Sequence, residues 1–172
     1  MDEPTSPVFH PPPTIMLSPD QYRLEKNRIA VALRLLSGER VRGFIFVQPS
    51  NYYHVGHEEA IDLFNAPEPF FPIETDKGDV LLLAKDRVIE VEGVVPSEQD
   101  DLRRASARQV ELTVTLADGV VRTGGVLLEM PSDRPRLLDF LNQISQRFFA
   151  LYVDEDVYLI NRSAIDQVRP RD

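Results

Sequence analysis

Hydrophobic residues alternate with polar or small residues in two long stretches of the chain. The alternating positions are Ile29, Val31, Leu33 and Leu35 in the first stretch, and Val110, Leu112, Val114 and Leu116 in the second. A period of two is typical of a half-buried β-strand. A turn follows each stretch, at Ser37-Gly38 or Asp118-Gly119, and a hydrophobic run then returns at Val41–Val47 or Val120–Leu128. The pattern therefore predicts a β-hairpin at each place.

The same order of residues occurs in 28–91 and again in 108–168, which indicates an internal duplication. The repeated motif consists of two glycines, separated by the same distance in both copies, followed by Asp-x-x-Asn. Its residues are Gly38, Gly43, Asp62 and Asn65 in the first copy, and Gly119, Gly124, Asp139 and Asn142 in the second. We expect the second glycine of each copy to mark a sharp bend or bulge. We expect the Asn to close a helix in a left-handed cap, and the Asp to accept hydrogen bonds from a neighbouring loop or an Arg.

Short helices are predicted at two kinds of position. Capping signals at Ser18-Pro19-Asp20-Gln21 and Ser97-Glu98-Gln99-Asp100 predict a helix before each copy, ending near Asn27 and Ala107. A second helix is predicted between strands two and three, at Glu58–Asn65 and Pro135–Asn142, with Ser132 or Asp133 as the cap of the latter. The remaining predicted strands are Phe70–Thr75, Val80–Ala84, Val88–Glu92, Arg147–Val153, Val157–Asn161 and Ile165–Arg169.

This order of elements resembles an Sm-like barrel. The resemblance rests on Leu-x-x-Gly with a second glycine five residues on, and on the endings Leu83-Ala84-Lys85 to Val91 and Ile160-Asn161-Arg162 to Val168. It implies a mainly β (α+β) fold that consists of two small bent barrels in a tandem duplication. Each barrel is expected to follow a short helix and to carry another short helix between its second and third strands. The expected divisions are a disordered Pro-rich tail at 1–17, a first Sm-like repeat at 18–93 and a second at 94–172.

Sm proteins read RNA with an Asp-x-x-x-Asn turn and an Arg-Gly pair. Here the spacing is Asp-x-x-Asn, and no glycine follows Lys85 or Arg162. RNA binding is therefore a weaker alternative function. The run Arg136-Leu137-Leu138-Asp139-Phe140-Leu141-Asn142, followed by Phe148-Phe149, is also similar to a motif of small uncharacterised bacterial proteins, which implies no activity.

Composition and charge narrow the classes of partner. The 172 residues carry a net charge of −9 and no cysteine. The negative charge repels phosphate groups and argues against nucleic acid or an anionic membrane as the main partner. No apolar run approaches the roughly 20 residues that span a bilayer, and no secretion signal is recognisable, so we expect a cytoplasmic protein.

One cluster has the residue types of a metal site. His54, His57 and Glu58 could bind a divalent ion, as part of a metal-dependent enzyme or a metal sensor. The alternative is a polar loop that enters a helix, with Glu58 near the positive helix end.

The two copies differ most in the loop before the first Asp-x-x-Asn helix, which is longer in the first copy. Tyr52 and Tyr53 with His54 offer amphipathic rings of the kind that dominate protein interfaces, and Phe9 in the tail could add an anchor. The alternative is that these rings cover the barrel mouth or the packing seam between the two halves. The sequence favours a non-catalytic adaptor or assembly subunit that binds protein and needs no cofactor. The short closing strands Val88–Glu92 and Ile165–Arg169 are the expected edge strands, and through them we expect a homo-oligomer.

Overall fold

The computed structural model of the protein describes residues 27–49, 58–128, 136–142 and 145–171. The helix predicted at Ser18 and the caps predicted at Ser132 and Asp133 lie outside these residues. The first half contains β1 (Asn27–Leu35), β2 (Arg40–Val47), α1 (Ala60–Asn65), β3 (Phe70–Thr75), β4 (Val80–Ala84) and β5 (Val88–Val94). The second half contains α2 (Glu98–Ser106), β6 (Arg108–Leu116), β7 (Val121–Leu128), α3 (Leu137–Leu141), β8 (Phe148–Val153), β9 (Asp156–Asn161) and β10 (Ile165–Pro170).

The strands of the described residues form one antiparallel sheet, in the order β10-β6-β7-β8-β9-β5-β1-β2-β3-β4. The prediction of a mainly β protein with short helices is confirmed. The sheet is not closed, because β10 and β4 are its two ends. Of the two predicted edge strands, Val88–Glu92 is not an edge, since β5 pairs with β1 on one side and with β9 on the other. Ile165–Arg169 lies in β10, at one end of the sheet.

Each half has the same order of elements between its first and last strand. The helix predicted from Ser97 is confirmed as α2, where Ser97 and Asp100 form a reciprocal capping box. Helices α1 and α3 occupy the predicted positions between strands two and three but are shorter than predicted. None of the described helices is long and apolar enough to cross a membrane.

The alternating stretches form β1 and β6, which share one pattern of burial along their length. Their inward positions, where the hydrophobic residues stand, are Val31, Leu33, Leu35, Leu112, Val114 and Leu116. Gly38 and Gly119 close the two hairpins in the left-handed region, with φ of +86° and +84°. A residue with a Cβ is strained there, which explains why both turns carry glycine.

The second glycine of each repeated motif does not form the bulge that was one of its two predicted roles. The ladders β1–β2 and β6–β7 run through Gly43 and Gly124 with no shift of register, so neither residue forms a bulge. Instead, the next strand passes very close. A Cβ on Gly43 would lie 2.1 Å from the carbonyl oxygen of Glu74, and one on Gly124 would lie 2.3 Å from that of Tyr152. These glycines allow β3 and β8 to approach the hairpins.

We expect Gly124→Ala to lower the free energy of unfolding by about 1–3 kcal/mol, because the added methyl group meets backbone atoms that cannot move aside. Gly125→Ala is the matched control, since the nearest atoms that its methyl group would meet belong to the flexible side chain of Gln109 and not to the backbone. Urea denaturation of both variants measures the difference. An equal loss in both would contradict this role for Gly124.

The two halves share one of the two hydrophobic cores. The shared core combines first-half residues such as Val31, Phe64 and Phe71 with residues of the second half, namely Leu127, Phe148, Tyr152, Val157 and Leu159. The other core lies within the second half, apart from Ile89 of β5. The halves are therefore packed against each other through apolar surface.

Residues 94–172 expressed alone should be less stable than the whole chain or should self-associate. The fragment lacks the first-half residues that cover Phe148, Val157 and Leu159 in the shared core. Thermal unfolding and light scattering test this expectation. A monomeric fragment with the melting temperature of the whole chain would show that the shared core contributes nothing.

Candidate functional site

The junction between the halves is a strand pair, β5 with β9. Val91 stands opposite Leu159 and Val94 opposite Val157, with a break in register between the two pairs. Gly93 lies in that break and has a φ of +84°. The pairing joins two groups of five strands into one sheet. It also places the outer face of β8 and β9, which bears Phe148, Val157 and Leu159, against the first half.

Asn65, at the end of α1, binds the backbone of the second half through its side chain. Its Oδ1 accepts a hydrogen bond from the Phe148 N–H at 2.7 Å, and its Nδ2 donates to the Phe148 carbonyl at 3.0 Å. The amide side chain thus acts as a strand partner would. The Phe148 ring lies 5.1 Å from the ring of Phe64, one residue earlier in α1, so polar and apolar contacts reinforce each other here.

The predicted left-handed caps at Asn65 and Asn142 are wrong. Among the described residues other than glycine, only Asp154 has a positive φ. Asn142 ends α3 with φ −87° and is exposed. The two Asn residues occupy corresponding positions, but only Asn65 has a second half to bind.

The Asp residues of the motif lie in the first turns of α1 and α3. Asp62 accepts the N–H of Glu59 at 2.9 Å, as part of a capping box at the start of α1. This satisfies a backbone donor that the helix itself leaves unpaired. Asp139 lies in the first turn of α3 and is exposed.

One basic residue follows β4 and another follows β9, and the side chain of each reaches the end of a helix. Lys85 is buried, and its Nζ donates to the carbonyl of Ala66 at 2.9 Å, just after α1. Burial lowers the pKa of Lys85. Arg162 donates to the carbonyl of Phe140 in α3 at 2.6 Å and lies over the rings of Phe140 and Phe149. A cation at a helix C-terminus is favourable, so these two residues stabilise the helices.

A buried ion network joins the halves beside the β5–β9 pair. Glu90 of β5 is fully buried and accepts from Arg34 at 2.9 Å and from Arg122 of β7 at 2.7 and 3.1 Å. Arg34 and Arg122 also reach Glu92 at 3.4 Å. Burial alone would raise the pKa of Glu90, but the hydrogen bonds and charges of Arg122 and Arg34 outweigh it and lower the pKa.

A cavity of about 830 Å³ lies at the junction, between α1, α2 and the outer face of β8 and β9. Tyr152 donates its hydroxyl to Asp100 at 2.7 Å inside it, and Asp100 also accepts from the backbone of Ser97 at 2.9 Å. Burial, followed by the bond to Asp100, raises the pKa of the Tyr152 hydroxyl and keeps it neutral. Arg103 contacts Glu59 at 3.4 Å at the same place. These polar groups bind α2 to the sheet.

Most of the predicted loop and tail residues lie outside the described residues. These are Phe9, Tyr52, Tyr53, His54 and His57, whose roles in partner or metal binding remain predictions. Glu58 is described: its N–H donates to the carbonyl of Gln48 at 3.1 Å, and its carboxylate accepts the N–H of Gln48. Within the described part of the chain, no group of three or more His, Cys, Asp or Glu side chains is arranged to hold a metal ion.

The end of the sheet at β4 carries an exposed apolar surface, which we name the β4 patch. It consists of Phe70, Pro72, Val80 and Leu82. The corresponding residues of the second half, matched by their places in the β3–β4 and β8–β9 ladders, are Phe148, Ala150, Val157 and Leu159. Phe70, Val80 and Leu82 are 59%, 64% and 72% exposed, whereas Phe148, Val157 and Leu159 are 0%, 2% and 1% exposed.

Sequence reasoning missed the β4 patch because both halves carry the same residue types there. Val80 and Leu82 match Val157 and Leu159 in identity, so hydrophobic pattern alone cannot separate the exposed pair from the buried pair. The only available signal was the repeated order of residues, since the last of two similar units in one sheet has one neighbour fewer. The paired phenylalanines behave in the same way: Phe71, Phe148 and Phe149 are buried, and of the four only Phe70 is exposed.

Comparison with known proteins identified no relative: no protein-family model matches the chain, and neither a curated protein nor a solved structure matches it significantly.

Glu90→Gln should lower the free energy of unfolding at pH 7 by up to about 3 kcal/mol, because it removes the charge of the fully buried carboxylate that Arg34 and Arg122 share. Glu74→Gln is the control, since the Arg28–Glu74 pair is partly exposed and should lose at most about 1 kcal/mol. The lowered pKa of Glu90 also means that its contribution is present above the ordinary pKa of about 4.3 and is lost as the pH falls through the folded-state value.

Urea unfolding from pH 7 to pH 3 measures both effects. Stability of the wild type should fall more steeply below about pH 4 than stability of Glu90→Gln. Parallel curves for the two proteins would mean that Glu90 is not held as a charged group.

Proposed function

We propose that this protein is a non-catalytic assembly subunit that binds protein, built from two Sm-like units in tandem. The duplication is supported by the same order of five strands in each half, β5-β1-β2-β3-β4 and β10-β6-β7-β8-β9. A single 3-10 turn precedes the last strand in each half as well.

The observation that carries the binding function is the exposure of the β4 patch. The residues at the corresponding positions of the second half are buried in the shared core. Those of the β4 patch are exposed to solvent, although the Phe, Val and Leu residues match in type. Burial of apolar surface contributes about 25 cal/mol per Å² of favourable free energy, so binding of a protein that covers this patch is favoured. An exposed edge strand beside the patch adds unpaired backbone groups.

The expected partner therefore contributes an antiparallel strand that bears apolar side chains. Such a strand would pair with β4 and pack on Val80 and Leu82, as β5 pairs with β9 and packs on Val157 and Leu159. The predicted loop residues Tyr52 and Tyr53, and Phe9 of the tail, are proposed as additional partner contacts on the evidence of their residue types.

A photo-crosslinking amino acid placed at Leu82 tests this function. In cells that make the protein, it should give a discrete adduct with one protein, and peptide mapping should place the contact on an apolar strand. Leu102 is the control position, because it is also exposed but lies on α2. Absence of any protein adduct at Leu82, or equal adducts at Leu102, would contradict a binding role for the β4 patch.

A further inference from the structure

We infer that the β4 patch binds a second copy of this chain, head to tail, on a surface formed by α3 and β10. This inference rests on the proposed function and names its partner. The receiving surface consists of Leu138, Leu141, Asn142 and Val168. These residues correspond to the first-half residues Ile61, Phe64, Asn65 and Val91, of which Phe64 and Val91 belong to the shared core, Ile61 packs against it, and Asn65 holds the backbone of Phe148.

The order of strands supplies the first argument. The sheet begins at β10 and ends at β4, and these strands correspond to β5 and β9, which pair in the middle of the chain. The two ends are therefore the same two kinds of edge that already meet once. A second copy placed end to end would repeat a contact that this backbone is shaped to make.

The Asn residues supply the second argument. Asn65 binds the backbone of Phe148 through two hydrogen bonds. Its counterpart Asn142 is exposed at the end of α3, and Phe70, the counterpart of Phe148, is exposed at the opposite end of the sheet. In a head-to-tail contact the amide of Asn142 faces the backbone of Phe70 of the next copy. An exposed Leu138 beside it, 67% accessible, would cover part of the β4 patch.

The register of the junction also fits the end strands. Copied onto the ends, it sets Gln167 opposite Leu83, and Val168 opposite Leu82, of the next copy. Pro170 cannot donate a backbone hydrogen bond, but it corresponds to Gly93, which lies in the break of register and is not part of a ladder pair with β9. The proline therefore falls where the internal junction needs no donor.

The contact between copies is weaker than the junction within one chain. Gln167 and Val41 stand in the places of Glu90 and Arg122, so the buried ion network has no counterpart at the ends. Association should accordingly be reversible and dependent on concentration. Because the two contacting surfaces differ, the contact is heterologous, and further copies can add to either end.

Analytical ultracentrifugation of the purified full chain over a wide concentration range tests the inference. The wild type should sediment as species heavier than 19.6 kDa as concentration rises. Val80→Lys with Leu82→Lys removes the β4 patch, and Leu138→Lys with Asn142→Asp removes the receiving surface. Each pair changes only exposed side chains and should weaken self-association at least tenfold, with the melting temperature preserved.

Mixing the two double variants gives the decisive result, because each retains one intact surface. The mixture should form dimers that contain one copy of each variant and should grow no further. Leu102→Lys is the control and should associate like the wild type, since Leu102 lies on α2.

Two outcomes would overturn the inference. One is a wild type that remains at 19.6 kDa at all concentrations; the other is a receiving-surface variant that still associates. If crosslinking from position 82 nevertheless captures a different protein, the proposed function stands and only the identity of the partner is wrong. If neither association nor a crosslink is found, both proposals fail.

Discussion

The pairing of β5 with β9 is the interaction on which the rest of the structure depends. It joins the two five-strand groups, brings the outer face of β8 and β9 under the first half, and sets Glu90 between Arg34 and Arg122. Charged groups can be buried at this place because three of them compensate one another and share hydrogen bonds. The apolar contacts of Phe64 with Phe148 and the bonds from Asn65 then fix the register of the halves.

A consequence of this junction is that equivalent residues have different environments. A tandem pair has one internal contact and two ends, so every surface used at the junction has an unused counterpart elsewhere. The β4 patch and the receiving surface are those counterparts. Both are apolar because the two halves carry similar residue types at these positions. The ion network, in contrast, is confined to the junction, where both partners belong to one chain and their association costs no translational entropy.

The polar residues of the described structure serve mainly to hold helices on the sheet. Asp62 and Asp100 cap helices, Lys85 and Arg162 bind helix ends, and Tyr152 ties α2 to β8. Each of these groups satisfies a buried donor or acceptor that would otherwise be costly. Asp62 and Asn65 of the repeated motif thus contribute to architecture, and the β4 patch that supports the proposed function is apolar.

Local patterns in the sequence determined the strands, the hairpin turns and the approximate positions of the helices. Alternation in β1 and β6, glycine at Gly38 and Gly119, and the capping box at Ser97 act over a few residues, so they can be read without knowledge of the fold. The close approach of strands at Gly43 and Gly124 and the contact of Asn65 with Phe148 depend on residues far away in sequence, so no local pattern predicts them. Which of two identical apolar pairs, Val80 and Leu82 or Val157 and Leu159, is buried was decided only by the tertiary structure. The reason is that burial depends on which strand lies beside them, and β9 has a neighbour in β5 while β4 ends the sheet.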